Sequence, residues 1–134
     1  IYIEAHEHYA KGSYRNRCHI AGANGLLRLS IPLEKGKNEQ QSIREVRIAY
    51  EEPWQHWHWE GIQSAYGKSP FFEHYADALA PFYEQRYTYL FDWNWDLLQT
   101  MTQLLGIRPD LQLTTRYEKT PGTDVLDFRT AISP

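Results

Sequence analysis

The sequence predicts an α+β (or α/β) fold: an N-terminal β-meander or hairpin sheet packed against about four C-terminal helices, with one late strand. Three observations carry that expectation. Apolar and polar residues alternate through much of the first 50 positions, the period lengthens to that of a helix after Pro53, and alternation returns at Leu111. With 134 residues, 42% hydrophobic and 15% aromatic, the chain is long enough for one core and short for two.

The elements follow in order. Ile1 to Ala5 alternates and is rich in β-formers, which predicts a short strand. "RCHIAGANGLLRLSIPL" holds two β-rich runs around "GANG", whose Asn24-Gly25 supplies the positive-φ residues of a tight turn; strands are expected near 16–21 and 26–32. Pro32 limits further pairing, and residues 34–41 read as a solvated, flexible connection. "IREVRIAY" at 43–50 is expected as a third strand of the meander.

Pro53 then occupies a position tolerated at a helix start, and Glu51 and Glu52 suit the positive end of a helix dipole. A helix is expected over 54–66, with Gly67 as its stop. On that helix Trp54, Trp57, His58, Gly61, Ile62 and Ala65 share the apolar face, which leaves Trp59 off it and Tyr66 at its margin. Ser69 and Pro70 open a helix to about Leu79, and Pro81 opens another to about Phe91. Asp92 or Asn94 caps a last helix, whose Leu97, Leu98, Met101, Leu104 and Leu105 make an apolar stripe ending at Gly106. A late strand is expected over 111–117. Residues 118–134, rich in Thr, Pro, Gly and Asp, read as a partly disordered tail behind a single domain over 1–117. The first residues are already in strand alternation with no initiator methionine, so the chain reads as a piece of a larger protein.

The net charge of −3 provides no global field for nucleic acid or an anionic membrane, so any anion recognition must be local. A single cysteine, Cys18, cannot close an intrachain disulfide or build a thiolate zinc site, and it favours a reducing compartment. No apolar run approaches the roughly 18 residues of a membrane span, and no signal-type apolar stretch is present. A soluble, cytoplasmic protein is expected, with no membrane insertion.

Three constellations could carry chemistry. The first is "KGSYRNR". If this segment is extended, Arg15 and Arg17 project to one face, and Tyr14, Asn16 and Cys18 to the other. Two guanidiniums so placed could clamp a carboxylate or phosphate, with Lys11 as a third positive charge. The plainer alternative pairs these arginines with Glu4, Glu7 or solvent.

The second is histidine. Glu4, His6 and His8 on one strand face would make a three-ligand set of the kind zinc or iron accepts. His56 and His58 diverge around their helix and cannot chelate together. His58, on the tryptophan-lined face, is either hydrogen-bonded in the core or a general base facing a pocket. The third is the aromatic run from Trp54 to Tyr75, most of it core. Trp59 is expected to be exposed, near Tyr66, as a platform on which a sugar or nucleobase stacks. Cys18 is expected to pack rather than react.

The segments "EHYAKGSYRNRCHIAGANGLLRLSIPLEKGKN", "IAYEEPWQHWHWEGIQSAYGKSPFF" and "YTYLFDWNWDLLQTMTQLLGI" resemble, in order and spacing, the WbqC-like family of bacterial proteins over roughly residues 1–117. The pieces are K-x-x-[YW]-R-N-R, G-x-x-x-L-S-I-P-L, P-W-x-x-x-H-W-x-x-I-x-x-x-Y and the L-L-G-I helix end. Family members carry a further N-terminal segment with a Y-[FL]-P-[PW] motif, and many place acidic residues where this chain has Ala5 and His6.

The resemblance implies an enzyme of O-antigen or other surface-polysaccharide assembly, transferring glycine or another acyl group to a nucleotide-linked amino sugar. Lys11, Tyr14, Arg15, Asn16, Arg17, Trp54, His58 and Tyr66 fall on its motifs. Under that expectation Lys11, Arg15 and Arg17 hold a phosphate or carboxylate, Tyr14 and Asn16 orient the acceptor, and His58 deprotonates the attacking amine. The partner is a small anionic substrate such as a nucleotide sugar. No cofactor is indicated, and homo-oligomerisation is left open. The alternatives are a non-catalytic nucleotide-sugar or glycan binding module and, more weakly, a metal-dependent enzyme using Glu4, His6 and His8.

Overall fold

The computed structural model describes residues 1–35 and 40–131. The mixed α+β expectation holds: among the described residues four short strands and four helices build one small domain. The middle of the 34–41 connection and the last three residues of the expected tail lie outside the described residues.

The "GANG" signal yields an antiparallel hairpin, β2 (Arg17–Gly22) with β3 (Gly25–Ser30), in which Arg17 opposes Ser30 and Gly22 opposes Gly25. The turn is centred on Ala23 and Asn24, and the positive φ of 117° falls on Gly25 alone. β1 (Tyr2–Ile3) does not join this hairpin. It pairs in parallel with the late strand β4 (Gln112–Leu113), so the first residues and the segment after α4 form a separate two-stranded sheet.

The expected third meander strand is replaced by a 3₁₀ turn, Ile43–Glu45, followed by extended backbone. The Ile48 N–H donates to Thr88 O at 3.0 Å on one side, and the Ala49 N–H to Pro32 O at 2.9 Å on the other. Only isolated bridges form there, Leu33 with Ile48 and Arg47 with Tyr89. The same pairing shortens the third helix. Residues 85–89 lie against 46–50, with the Tyr87 N–H donating to Tyr50 Oη and the Tyr50 hydroxyl to Tyr87 O, so α3 spans only Pro81–Glu84 and α4 starts early, at Leu90–Leu104. Tertiary hydrogen bonding overrides the local helical period in this stretch.

α1 (Trp54–Tyr66) has the expected bounds. One side packs on the hairpin, where Gly61 permits close approach: a Cβ there would lie 2.9 Å from Leu27 Cδ2. Its other side packs on α3, which α2 (Phe72–Leu79) flanks. The core gathers Val46, Ile48, Trp54, Phe82, Leu90 and Trp93 with residues from the N-terminal segment. Both buried indoles donate to carbonyls, Trp54 Nε1 to Ala49 O and Trp93 Nε1 to Phe82 O, each at 3.1 Å. Among the described residues no helix is long and apolar enough to cross a membrane.

Candidate functional site

The "GSYRNR" stretch folds as a turn. Gly12 takes a φ of 76°, Ser13 Oγ donates to Ala10 O at 2.6 Å, and Tyr14–Asn16 form one 3₁₀ turn before β2 begins. The extended geometry that would have put Arg15 and Arg17 on one face is therefore absent, and the two arginines separate.

Arg15 is occupied. Its Nε and Nη2 donate to Glu7 Oε1 and Oε2 at 2.7 and 2.6 Å, and its carbonyl accepts from Asn94 Nδ2 at 2.8 Å. The bond to Glu7 raises the Arg15 pKa above its ordinary value, against the effect of burial. A bidentate, partly buried pair of this kind is among the stronger side-chain contacts, and it ties the turn to the N-terminal segment and α4. Asn16 is fixed as well: Oδ1 accepts from the Tyr9 hydroxyl at 3.1 Å and Nδ2 donates to Ile31 O at 2.9 Å.

Arg17 is different. Its Nη2 donates to Gly12 O and its guanidinium carbon sits 5.4 Å from the centroid of the Tyr14 ring. Its Nε is buried and, alone among the buried side-chain nitrogens and oxygens of the described residues, has no hydrogen-bond partner. A buried donor left unmet carries a free-energy cost, which a ligand oxygen removes if the guanidinium shifts to meet it.

Arg17 lines a cavity of about 1060 Å³ between the 9–17 segment, the end of β3 and the start of α1. Lys11, Arg28 and Lys35 line it too, and none of these four cations pairs with a carboxylate among the described residues. Among the described residues two carboxylates reach the cavity, Glu34 and Glu52, of which Glu34 pairs with Arg47 at 3.1 Å. The cavity is thus locally basic in a chain whose net charge is negative. Arg28 and Lys35 were not singled out in the sequence; an isolated cation on a strand or loop gives no local signal.

His58 lines the same cavity and is 8% exposed, its ring 5.1 Å from that of Trp54. Desolvation lowers its pKa, while a hydrogen bond to the Ser30 backbone acts in the opposite direction. With its pKa below 6.5, the ring is neutral at pH 7. The neutral, correctly held imidazole is the form a general base requires. It also has a consequence for stability. The unfolded ring keeps its ordinary value of 6.5 and the folded one lies lower, so the unfolded state gains the proton first as pH falls. Stability is full above about pH 6.5 and declines below it until the folded value is passed. Urea midpoints at pH 7.5 and 5.5 are expected to fall further for wild type than for His58→Gln; equal falls would contradict this.

The aromatic expectation needs correction. Trp59 is not an exposed platform: it is half-buried, stacked on Tyr83 at 5.4 Å and tilted against Phe72 at 6.3 Å. Packing against α3 and α2 gives α1 a second buried side that its own hydrophobic period does not reveal. Trp57, expected to be inside, is instead 52% exposed and lines the cavity. Tyr66 lies eight residues beyond His58, about 12 Å along the helix axis, and is not a lining residue. Tyr14 also stays outside the lining and supports Arg17 from behind. Cys18 falls in an exposed strand position, and desolvation raises its thiol pKa, which disfavours the reactive thiolate.

Glu4, His6 and His8 do not assemble as ligands. Glu4 Oε1 accepts from the His6 backbone N–H at 2.7 Å and from Thr114 Oγ1 at 3.0 Å, while His6 Nε2 bonds Thr114 O at 3.0 Å. Among the described residues no group of three or more His, Cys, Asp or Glu side chains could hold a metal ion.

The comparisons with known proteins agree with the sequence resemblance. A 115-residue alignment, 33% identical, relates the chain to the uncharacterized protein Rv1507c of Mycobacterium tuberculosis and covers 85% of this chain. The chain spans about half the length of that relative, 49% of it. No solved structure matches significantly. The profile of the WbqC-like protein family matches residues 1–132, from the first strand through the cavity-forming motifs to the C-terminal segment, and the chain belongs to that family.

Proposed function

We propose that this chain forms the substrate-binding part of an enzyme of surface-polysaccharide assembly that transfers glycine or another acyl group to a nucleotide-linked amino sugar. The observation that carries the proposal is the meeting, in one basic cavity, of Arg17 with its unmet Nε and His58 with its neutral imidazole. Arg17, with Lys11 and Arg28 beside it, binds phosphate oxygens through charge-assisted hydrogen bonds. Tyr14 holds the Arg17 guanidinium, Asn16 fixes the turn against Ile31, and Arg15 positions the whole segment through Glu7. The sugar amine attacks the acyl carbon; as the C–N bond forms and the bond to the leaving group breaks, the amine proton passes to His58.

Arg17→Gln is expected to weaken binding of a uridine-diphosphate amino sugar about 10–100-fold by calorimetry, because charge-assisted bonds are worth roughly 1.5–3 kcal/mol each. Unchanged affinity would overturn the role of Arg17. A second reading, a binding module without turnover, draws on the enclosure of His58 against Trp54 and Ser30, which serves packing equally well. Substitution of His58 separates the two.

A further inference from the structure

We propose that Trp57 and Glu52 form the nucleoside end of the cavity: the exposed indole stacks a nucleobase and Glu52 accepts hydrogen bonds from ribose hydroxyls, while the diphosphate reaches Arg17 and Lys11. The inference rests on the phosphate-binding role of the cavity and assigns the residues that would receive the nucleoside.

Trp54, Trp59 and Trp93 each have aromatic partners, with ring centroids 5.1–6.3 Å away. Trp57 has no ring partner among the described residues and stands 52% exposed on the cavity wall. A solvated indole face inside a basic cavity suits a planar ring carried by an anion, since base stacking on aromatic side chains is strong and tolerant of base identity.

Charge sets the orientation. Glu52, just before α1, and Trp57, in its first turn, lie on one segment, whereas Lys11 and Gly12, in the turn before β2, and Arg17, its first residue, lie on another. An ionised Glu52 accepts hydrogen bonds and repels phosphate, so it suits the hydroxyl-bearing part of the ligand. No ion pair occupies Glu52 among the described residues. The cavity volume of about 1060 Å³ is just above the ~300–1,000 Å³ that small-molecule sites span, enough for a nucleoside diphosphate with room for a sugar.

Calorimetric titration of the chain with inorganic pyrophosphate, uridine diphosphate and adenosine diphosphate tests this, using wild type, Trp57→Ala and Trp57→Phe. Wild type is expected to bind both nucleotides about 10-fold or more tightly than pyrophosphate. Trp57→Ala should bring both down to the pyrophosphate level, which itself stays unchanged, and Trp57→Phe should keep most of the advantage. Equal wild-type affinity for pyrophosphate and nucleotides, or a uniform loss for all three in Trp57→Ala, overturns the nucleoside end and leaves the phosphate site standing. Absence of binding by all three ligands overturns both. Should Trp57→Ala fail to fold, the wild-type preference and its persistence in Trp57→Phe decide the matter.

Discussion

His58→Gln is expected to lower acyl-transfer turnover by about 10²–10⁴-fold while leaving affinity for the anionic substrate within about 2-fold. The contrast follows from what each side chain can do. A glutamine amide can still donate to the Ser30 backbone and fill the space beside Trp54, but it cannot take a proton from an attacking amine. Wild-type kcat/KM should also fall on the acid side as the imidazole is protonated, with the break below 6.5, since desolvation lowers the His58 pKa. Amide formation assayed across pH on both proteins reads out each point. Full turnover in His58→Gln would remove the base role, and wild type that binds nucleotide amino sugars but forms no amide with any activated acyl donor would favour the binding-module reading.

Trp54→Ala is expected to destabilise the fold by about 3–5 kcal/mol. Trp54 is 2% exposed, with aromatic partners at Tyr50, His58 and Trp93, and its indole meets Ala49 O. Removing it opens a large cavity and leaves that carbonyl unmet, in a domain whose total stability is of order 5–15 kcal/mol. Trp54→Phe keeps much of the volume and should cost less than half as much. Urea unfolding of both variants measures the difference; a cost below about 1 kcal/mol for Trp54→Ala would show that the site is not built on this indole.

Legibility in the sequence followed the range of the forces involved. α1 was readable to the residue because Pro53, the 3.6-residue period and Gly67 are all local, and the hairpin was readable because "GANG" is. The strand expected at 43–50 and the helix expected to run to Phe91 failed together, since residues 46–50 and 85–90 hydrogen-bond each other across the fold. The exchange of roles between Trp57 and Trp59 has the same origin: Tyr83 and Phe72, distant in sequence, decide which indole is covered.

The basic motif was legible as a motif and misread as a strand. Gly12-Ser13 ahead of "YRNR" was the available turn signal, with Ser13 Oγ accepting from the Arg15 N–H at 3.4 Å. Once the turn forms, Arg15 is taken up by Glu7 and Arg17 alone of the pair lines the cavity. His58 was placed correctly on the covered side of α1, whereas Arg28 and Lys35 join the cavity only through tertiary structure.

A crystal structure of the chain with bound inorganic pyrophosphate tests the central claim most directly. A phosphate oxygen is expected about 2.7–2.9 Å from Arg17 Nε, with Lys11 or Arg28 on the same anion. Pyrophosphate seated away from Arg17, or an Arg17 Nε satisfied by a protein group in the presence of the ligand, would contradict it.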